Sequence, residues 1–271
     1  MEALGIGIVG CAGRMGRMVA RVIDETDGCA LAGGTEFAGA PVIGQDLGGL
    51  AGIGDKGLPV GDDPAALFAA ADAVIDFTTP AALLVHAGLA KETRTIYVVG
   101  TTGLQAEHEA ALAAAAAETA VMQAANMSLG VNLLLALVEQ VSAALSPDYD
   151  IEILEMHHRH KVDAPSGTAL ALGRAAAAGR GVELDAVAQK ARDGVTGPRR
   201  AGDIGFATLR GGDAAGEHSV IFATEGERLE LTHKAGTREI FARGAIRAAL
   251  WCRGKPSGRY TMRDVLGLAG S

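Results

Sequence analysis

Apolar positions in the first half of the chain alternate between two periods. Residues 6–9 form a short apolar run ending in Gly10. Met15, Met18, Val19, Val22 and Ile23 then recur at the three- and four-residue spacing of one helix face. Further strand-like runs cover 29–32, 73–77, 96–99 and 121–125, and helical stretches cover 64–71 and 105–118. Strands alternating with helices predict a parallel sheet covered on both faces, an α/β Rossmann-like arrangement. After about residue 145 the texture changes. A strand over 150–156 is followed by a helix over 168–178, a loop over 192–205, strand-like runs at 206–209, 219–224 and 228–232, and a helix over 239–250. Successive strands predict a second, smaller α+β domain.

Composition narrows the function classes. The 271 residues are 49% hydrophobic and 21% charged, which excludes a disordered chain. Aromatics are only 4%, so the core is built from Ala, Val, Leu and Ile. A net charge of -8 argues against a nucleic-acid partner but leaves small-anion binding open, because local charge can oppose net charge. Cys11, Cys29 and Cys252 form no disulfide framework, which points to a reducing, cytoplasmic compartment. The first residues lack a basic leader pattern. The Ala-rich stretch 110–117 is flanked by Glu107, Glu109 and Glu118, so it reads as a helix of a soluble protein and not a membrane span.

The segment Gly10-Cys11-Ala12-Gly13-Arg14-Met15-Gly16 lies between the first strand and the first helix. That is the context of a dinucleotide-binding turn: small residues allow the sharp turn, backbone N–H groups approach a pyrophosphate, and the helix start adds its positive dipole end. Ala12 stands where the standard motif has its second glycine, so the pattern also fits a plain packing turn. Glu36, 26 residues past Gly10, can accept hydrogen bonds from an adenosine ribose, or is a solvated surface acid. Residues 77–80, 100–103 and 125–128 also fall just past predicted strands, on the rim where open parallel sheets bind ligands.

His157-His158-Arg159-His160-Lys161 is the most unusual run, five basic or titratable residues in an acidic chain. Adjacent histidines on an extended segment point to opposite faces and the cations beside them repel a metal ion, so no metal site is expected. An anion-binding catalytic loop fits better. Lys161 and the histidines give positive potential for a carboxylate-bearing substrate, and Ser166-Gly167-Thr168 opens a helix whose N–H groups can hold a carboxylate. Simple N-capping by Ser166 or Thr168 is compatible with that role. A histidine among cations resists protonation until substrate carboxylates arrive, which can time a proton transfer. His86 and His108 read as helix-surface positions.

With these residues the chain resembles the dihydrodipicolinate reductase (4-hydroxy-tetrahydrodipicolinate reductase) family of lysine and diaminopimelate biosynthesis. The resemblance spans nearly the whole chain. Besides the turn at 10–16, it rests on Phe77-Thr78, Gly100-Thr101-Thr102-Gly103, Ala124-Ala125-Asn126-Met127-Ser128, the long run 155–168, Ile204-Gly205-Phe206-Ala207 and Gly216-Glu217-His218. It implies a Rossmann-like cofactor domain of residues 1–128 and 238–271, and a mixed-sheet substrate domain of 129–237 that builds a homotetramer. It places cofactor contacts on Gly10, Cys11, Ala12, Gly13, Arg14, Met15, Glu36, Gly100, Thr101, Thr102, Ala124, Ala125, Asn126 and Met127. It implies His157 as acid/base, Lys161 as second proton donor, and His158, Lys161, Ser166, Gly167 and Thr168 as the clamp on a small dicarboxylate.

One position departs from the family pattern. Phe37 follows Glu36 where members that use NADPH well often carry Arg, so NADH is expected to serve at least as well as NADPH, with Arg14 left as a 2′-phosphate partner. Two alternatives remain at this stage. Another two-domain dehydrogenase would lack the His-His-Arg-His-Lys run, and a nucleotide-sensing regulator would need neither His157 nor Lys161.

Overall fold

Four of the five strands of the first half are buried along nearly their whole length, as expected when both faces of a parallel sheet are covered, and the other, Cys29–Thr35, lies at the sheet edge and is mostly half-buried. The structure, a computed structural model, describes residues 2–268. Its contacts divide the chain into two units: one runs to Ser128 and resumes at Glu239, and the other is Leu129–Arg238.

The first unit begins with β1 (Leu4–Val9), α1 (Arg14–Glu25), β2 (Cys29–Thr35), α2 (Leu47–Ala51), α3 (Pro64–Ala70), β3 (Ala73–Asp76), α4 (Pro80–Thr93), β4 (Ile96–Val99), α5 (Ala106–Ala116) and β5 (Ala120–Gln123). The second unit holds α6 (Leu129–Ala144), β6 (Asp150–His157), α7 (Gly167–Gly179), α8 (Leu184–Val187), β7 (Ala188–Gln189), β8 (Ile204–Arg210), β9 (Gly216–Thr224) and β10 (Glu227–Ala235). The chain then adds α9 (Glu239–Cys252), β11 (Gly258–Tyr260) and α10 (Met262–Val265) to the first unit.

In the first unit the strand order is β11-β5-β4-β3-β1-β2, with every neighbouring pair parallel. Successive side chains on a strand face opposite ways, so Val74, Tyr97, Val99 and Val121 meet Phe68, Leu83 and Leu112 of α3, α4 and α5 on one face. The apolar stripe of α1 is buried at Val19, Val22 and Ile23, and α1 packs on α9. Two helices start on sequence signals: Asp63 caps α3 and Thr79 caps α4, each followed by proline at the first helical position. Gly10 takes φ +68°, and a side chain at Gly16 would strike the carbonyl of Gly10 at 2.3 Å, so the turn and the start of α1 interlock only with glycine there.

The second unit has a five-stranded mixed sheet, β10-β9-β6-β8-β7, in which β6 runs parallel to β8 and antiparallel to β9. Burial along β6 alternates strictly. Ile151 and Ile153 share its inner face with Glu155 and His157, and on β9 Phe222 and Val220 share theirs with His218. The apolar half of this face packs on Leu134, Val138, Leu172 and Ala176 of α6 and α7. The other half carries polar groups.

Seven elements receive no bounds in the sequence-based reading, α2, α4, α6, α8, β7, β11 and α10, and two of them show why. The helix α6 is apolar without interruption from Leu133 to Val138, so it shows no amphipathic period. The strand β11 is three residues long and exists because it pairs with β5. The expectation that His86 and His108 lie on helix surfaces is wrong. They are 8% and 5% exposed, and each is drawn inward by a hydrogen bond, His86 to Asp76 and His108 Nδ1 from the N–H of Gln105 at the start of α5.

Candidate active site

The glycine-rich turn opens onto a cavity of about 510 Å³ at the carboxyl ends of β1, β2 and β3, lined by Gly10, Gly13, Glu36, Phe37, Thr78 and His86 among others. The N–H groups of Gly10 and Cys11 both go to the carbonyl of Thr35, at 2.8 and 3.1 Å. The N–H of Ala12 goes to Glu36 Oε1 at 2.9 Å, which ties the acid to the turn. Gly13 is the N-cap of α1 and contributes no side-chain cap, so this helix start turns bare backbone N–H groups outward. A small-residue turn, an uncapped helix start and an acid fixed beside them suit a dinucleotide: N–H groups for the pyrophosphate, a carboxylate for ribose hydroxyls. Phe37 is 72% exposed at the edge of this cavity, and Arg14 is exposed on the first turn of α1.

Of the other expected cofactor residues, Cys11 turns inward, and burial pushes its thiol up to about 12. Met15 is half-buried on α1. Gly100, Thr101 and Thr102 follow β4, and Ala124, Ala125, Asn126 and Met127 follow β5, outside the lining of this cavity. Thr101 and Met127 are buried.

Beneath the rim lies a group that sequence reasoning missed. Asp76, fully buried at the end of β3, accepts from the N–H and hydroxyl of Thr78 (2.8 and 2.6 Å), from Thr101 (3.1 Å), from Tyr97 (2.5 Å) and pairs with His86 Nδ1 (2.8 Å). Burial opposes its ionisation, but the His86, Thr78 and Tyr97 hydrogen bonds prevail and hold its carboxyl below the usual range. Burial and Asp76 push Tyr97 well above its ordinary value. The available signal was a carboxylate closing an otherwise apolar strand before Thr-Thr-Pro.

In the second unit, His157 ends β6 with Nδ1 2.5 Å from Glu155 Oε2. Arg210 of β8 grips the same carboxylate through both oxygens, at 2.8 and 2.9 Å, and the N–H of Ser166 reaches it at 3.0 Å. His218 of β9 lies edge-on to His157 with centroids 5.1 Å apart and bonds Ser166 Oγ at 3.1 Å. Ser166 also caps α7, so both its polar groups are engaged, while Gly167 and Thr168 form the first turn. Lys161 pairs with Asp163 at 2.7 Å, and Arg238 approaches His158 at 3.3 Å. Desolvation, with Arg238 and the neighbouring positive groups, pulls His158 below its ordinary value. Burial does the same to His218, down to about 4. Glu155, Arg210 and Asp163 carried no role in the sequence reading. The spacing of Glu155 and His157, two apart on a strand, was the available clue. Among the described residues, no three His, Cys, Asp or Glu side chains are placed to hold a metal ion.

Comparison with known proteins settles the family. Family models described as "Dihydrodipicolinate reductase, N-terminus" and "Dihydrodipicolinate reductase, C-terminus" match residues 4–127 and 130–266. The chain belongs to the dihydrodipicolinate reductase family. It is similar to 4-hydroxy-tetrahydrodipicolinate reductase 1 of Mesorhizobium japonicum, with 57% identity over 98% of both chains. It is also similar to 4-hydroxy-tetrahydrodipicolinate reductase of Ruegeria pomeroyi, with 56% identity over 97% of this chain and 98% of the relative. Among solved structures, the dipicolinate-bound dihydrodipicolinate reductase from Paenisporosarcina sp. TG-14 shares the fold at a TM-score of 0.76 and 23% identity, covering 96% of this chain and 97% of that one. An amine dehydrogenase from Mycobacterium smegmatis shares the fold at a TM-score of 0.60 and 15% identity, over 95% of this chain and 94% of that one. Family membership sets aside both alternatives left by the sequence.

Proposed function

We propose that this chain is an NAD(P)H-dependent 4-hydroxy-tetrahydrodipicolinate reductase of lysine and diaminopimelate biosynthesis, working as a cytoplasmic homotetramer. The observation that carries the reading is His157, anchored at one nitrogen by a buried carboxylate, in one segment with Lys161 and the start of α7. The relatives' names supply the substrate. Three free cysteines and the lack of a helix long and apolar enough to cross a membrane, among the described residues, accord with the compartment.

In this reading residues 1–128 and 238–271 hold the cofactor and 129–237 hold the substrate and build the tetramer. Bound reduced nicotinamide supplies a hydride to the substrate ring. The 4-hydroxyl leaves as water, and one proton is consumed overall. The turn from Gly10 to Met15 holds the pyrophosphate, Glu36 holds the adenosine ribose, and residues 100–102 and 124–127 bound the rim. His157 delivers the ring proton, and Lys161, released from Asp163, is the second donor. His158, Lys161, Ser166, Gly167 and Thr168 hold the two carboxylates, with cations and helix N–H groups matched to developing negative charge. Glu36 followed by Phe37, with no cation at position 37, favours NADH at least equally.

The test is oxidation of NADH and NADPH by the purified chain supplied with the product of the upstream aldolase. Oxidation dependent on that product, inhibited competitively by dipicolinate, is expected. Failure with both cofactors overturns the reading. Thr168→Val is expected to weaken dipicolinate inhibition and leave the Kd for NADH unchanged, and equal inhibition of variant and wild type would contradict the placement of the carboxylate.

A further inference from the structure

We infer that Glu155 is a positioning residue of the reaction: it receives the Nδ1–H of His157 and thereby assigns proton delivery to Nε2. The inference rests on the proposed role of His157 and goes beyond it by naming the atom and the group that selects it.

The geometry carries the argument. Glu155 and His157 sit two residues apart on the inner face of β6, so their side chains emerge side by side, and Oε2 lies 2.5 Å from Nδ1. Glu155 is 1% exposed. Its two oxygens also accept both arms of the Arg210 guanidinium and the N–H of Ser166, so its position is fixed from β8 and from the start of α7 as well as from its own strand. Burial opposes charge on Glu155, but Arg210, His157 and Ser166 together hold its carboxyl below the usual range. An ionised carboxylate only accepts hydrogen bonds. The hydrogen between the two groups therefore sits on Nδ1. The neutral ring then keeps its lone pair on Nε2, and the protonated ring has its one unanchored proton there. Gly216, facing that nitrogen from β9, leaves room beside it: a side-chain carbon at this position would sit 3.0 Å from Nε2.

The groups around the ring separate orientation from charge. Glu155 is negative, Arg210 of β8 is positive, and their paired contact leaves little net charge beside the imidazole. His218 of β9 touches the ring edge and stays neutral until about pH 4. Lys161 in the following loop is paired to Asp163. Glu155 thus sets the tautomer of His157 and also offsets the positive charge of Arg210 beside the ring. Removing the carboxylate's charge leaves Arg210 uncompensated near the ring, which disfavours the imidazolium.

Glu155→Gln tests the assignment. A mis-set tautomer forfeits part of the roughly 10²–10⁴-fold that general acid–base catalysis contributes, so a fall in kcat of up to that span is expected with the Kd for NADH unchanged. The alkaline fall of the kcat–pH profile is expected at lower pH than in wild type. In a His157→Gln background the same change is expected to cost nothing further, because its effect runs through the missing ring. An equal loss in both backgrounds, or an unmoved pH profile, overturns the inference. Imidazole nitrogen NMR of the wild-type protein, with the His157 signals identified by their absence from His157→Gln, decides the matter even where Glu155→Gln does not fold. The Nδ1–H tautomer of neutral His157 is expected, and the Nε2–H tautomer overturns the inference. Wild-type turnover by His157→Gln would instead sink the catalytic role of His157 itself, a separate failure.

Discussion

Asp76 in the first unit and Glu155 in the second are both buried carboxylates at the carboxyl end of a strand, and each holds a histidine by Nδ1, at 2.8 and 2.5 Å. Their remaining partners differ. Asp76 takes uncharged donors, the hydroxyls of Thr78, Thr101 and Tyr97 and the N–H of Thr78. Glu155 takes a guanidinium. The first arrangement stitches together the loops after β3 and β4, at the rim proposed to hold the cofactor. The second balances charge inside a segment whose working parts are side chains. A dinucleotide presents a long outline that backbone N–H groups can follow, whereas a ring that must gain a proton needs one titratable group held at one nitrogen. The two units accordingly spend their buried acids differently, one on loop shape and one on side-chain orientation.

The largest expected effect tests that division of labour. His157→Gln and Lys161→Ala are each expected to lower kcat by roughly 10²–10⁴-fold, the usual span for a lost general acid. NADH binding, followed by fluorescence titration, is expected to be unaffected. If both variants turn over normally the catalytic assignment falls, and if either loses NADH the two regions are not separable.

The basic segment was legible because five consecutive titratable residues have no ordinary structural reason in an acidic chain, and the glycine turn was legible because its context of strand and helix restricts what it can be. The alternation of strands and helices likewise showed the parallel sheet. The acids behind both sites were not legible. Asp76 and Glu155 look like any strand-end carboxylate until tertiary contacts reveal that Tyr97, 21 residues on, and Arg210, 55 residues on, aim at them. His86 was misread for the same reason, since its helix face is decided by Asp76 and not by local period. The uniformly apolar α6 was invisible to periodicity.

Next in size is the loop-stitching carboxylate. Asp76→Asn keeps the shape of the side chain but turns an amide N–H₂ toward donors that now share Oδ2. Leaving buried donors unpaired costs about 2–4 kcal/mol, which urea unfolding of the variant would read directly. The cofactor rim is expected to loosen with it, raising the Kd for NADH. An unchanged unfolding midpoint would mean that the hydrogen-bonded hub contributes nothing, and the contrast with Glu155 would collapse.

A smaller effect should appear with pH. His218 is lowered by burial from its ordinary value of 6.5 to about 4, so the unfolded chain binds the extra proton between those values and stability rises with pH across that window. The contribution is fully present above pH 6.5 and is lost as pH falls toward 4, with a ceiling of about 3 kcal/mol. His158 and His233 shift in the same direction, so the comparison that isolates His218 is between wild type and His218→Gln. Unfolding free energies at a series of pH values should show a shallower acid limb in the variant. Parallel curves would assign the acid sensitivity to other groups.

The smallest effect concerns the first unit alone. Glu36 is fixed by the N–H of Ala12 at the cavity that Phe37 borders, and a carboxylate there repels a 2′-phosphate. A cation at position 37 would pair with that phosphate, but Phe37 offers only an exposed ring, a surface on which an adenine can stack. Arg14, exposed on the first turn of α1, remains a candidate partner for that phosphate, so preference and not exclusion is expected. A charge-assisted contact contributes about 1.5–3 kcal/mol, or roughly 10- to 150-fold in affinity. NADH is therefore expected to be used at least as well as NADPH, and Phe37→Arg to move the ratio of kcat/KM toward NADPH by up to that factor. Dipicolinate inhibition, which the proposed function assigns to the second unit, should not move. Steady-state assays with both cofactors at one ionic strength decide it. A strong NADPH preference in the wild type would assign the phosphate to Arg14, and a shift in dipicolinate affinity would show that the two regions do not act independently.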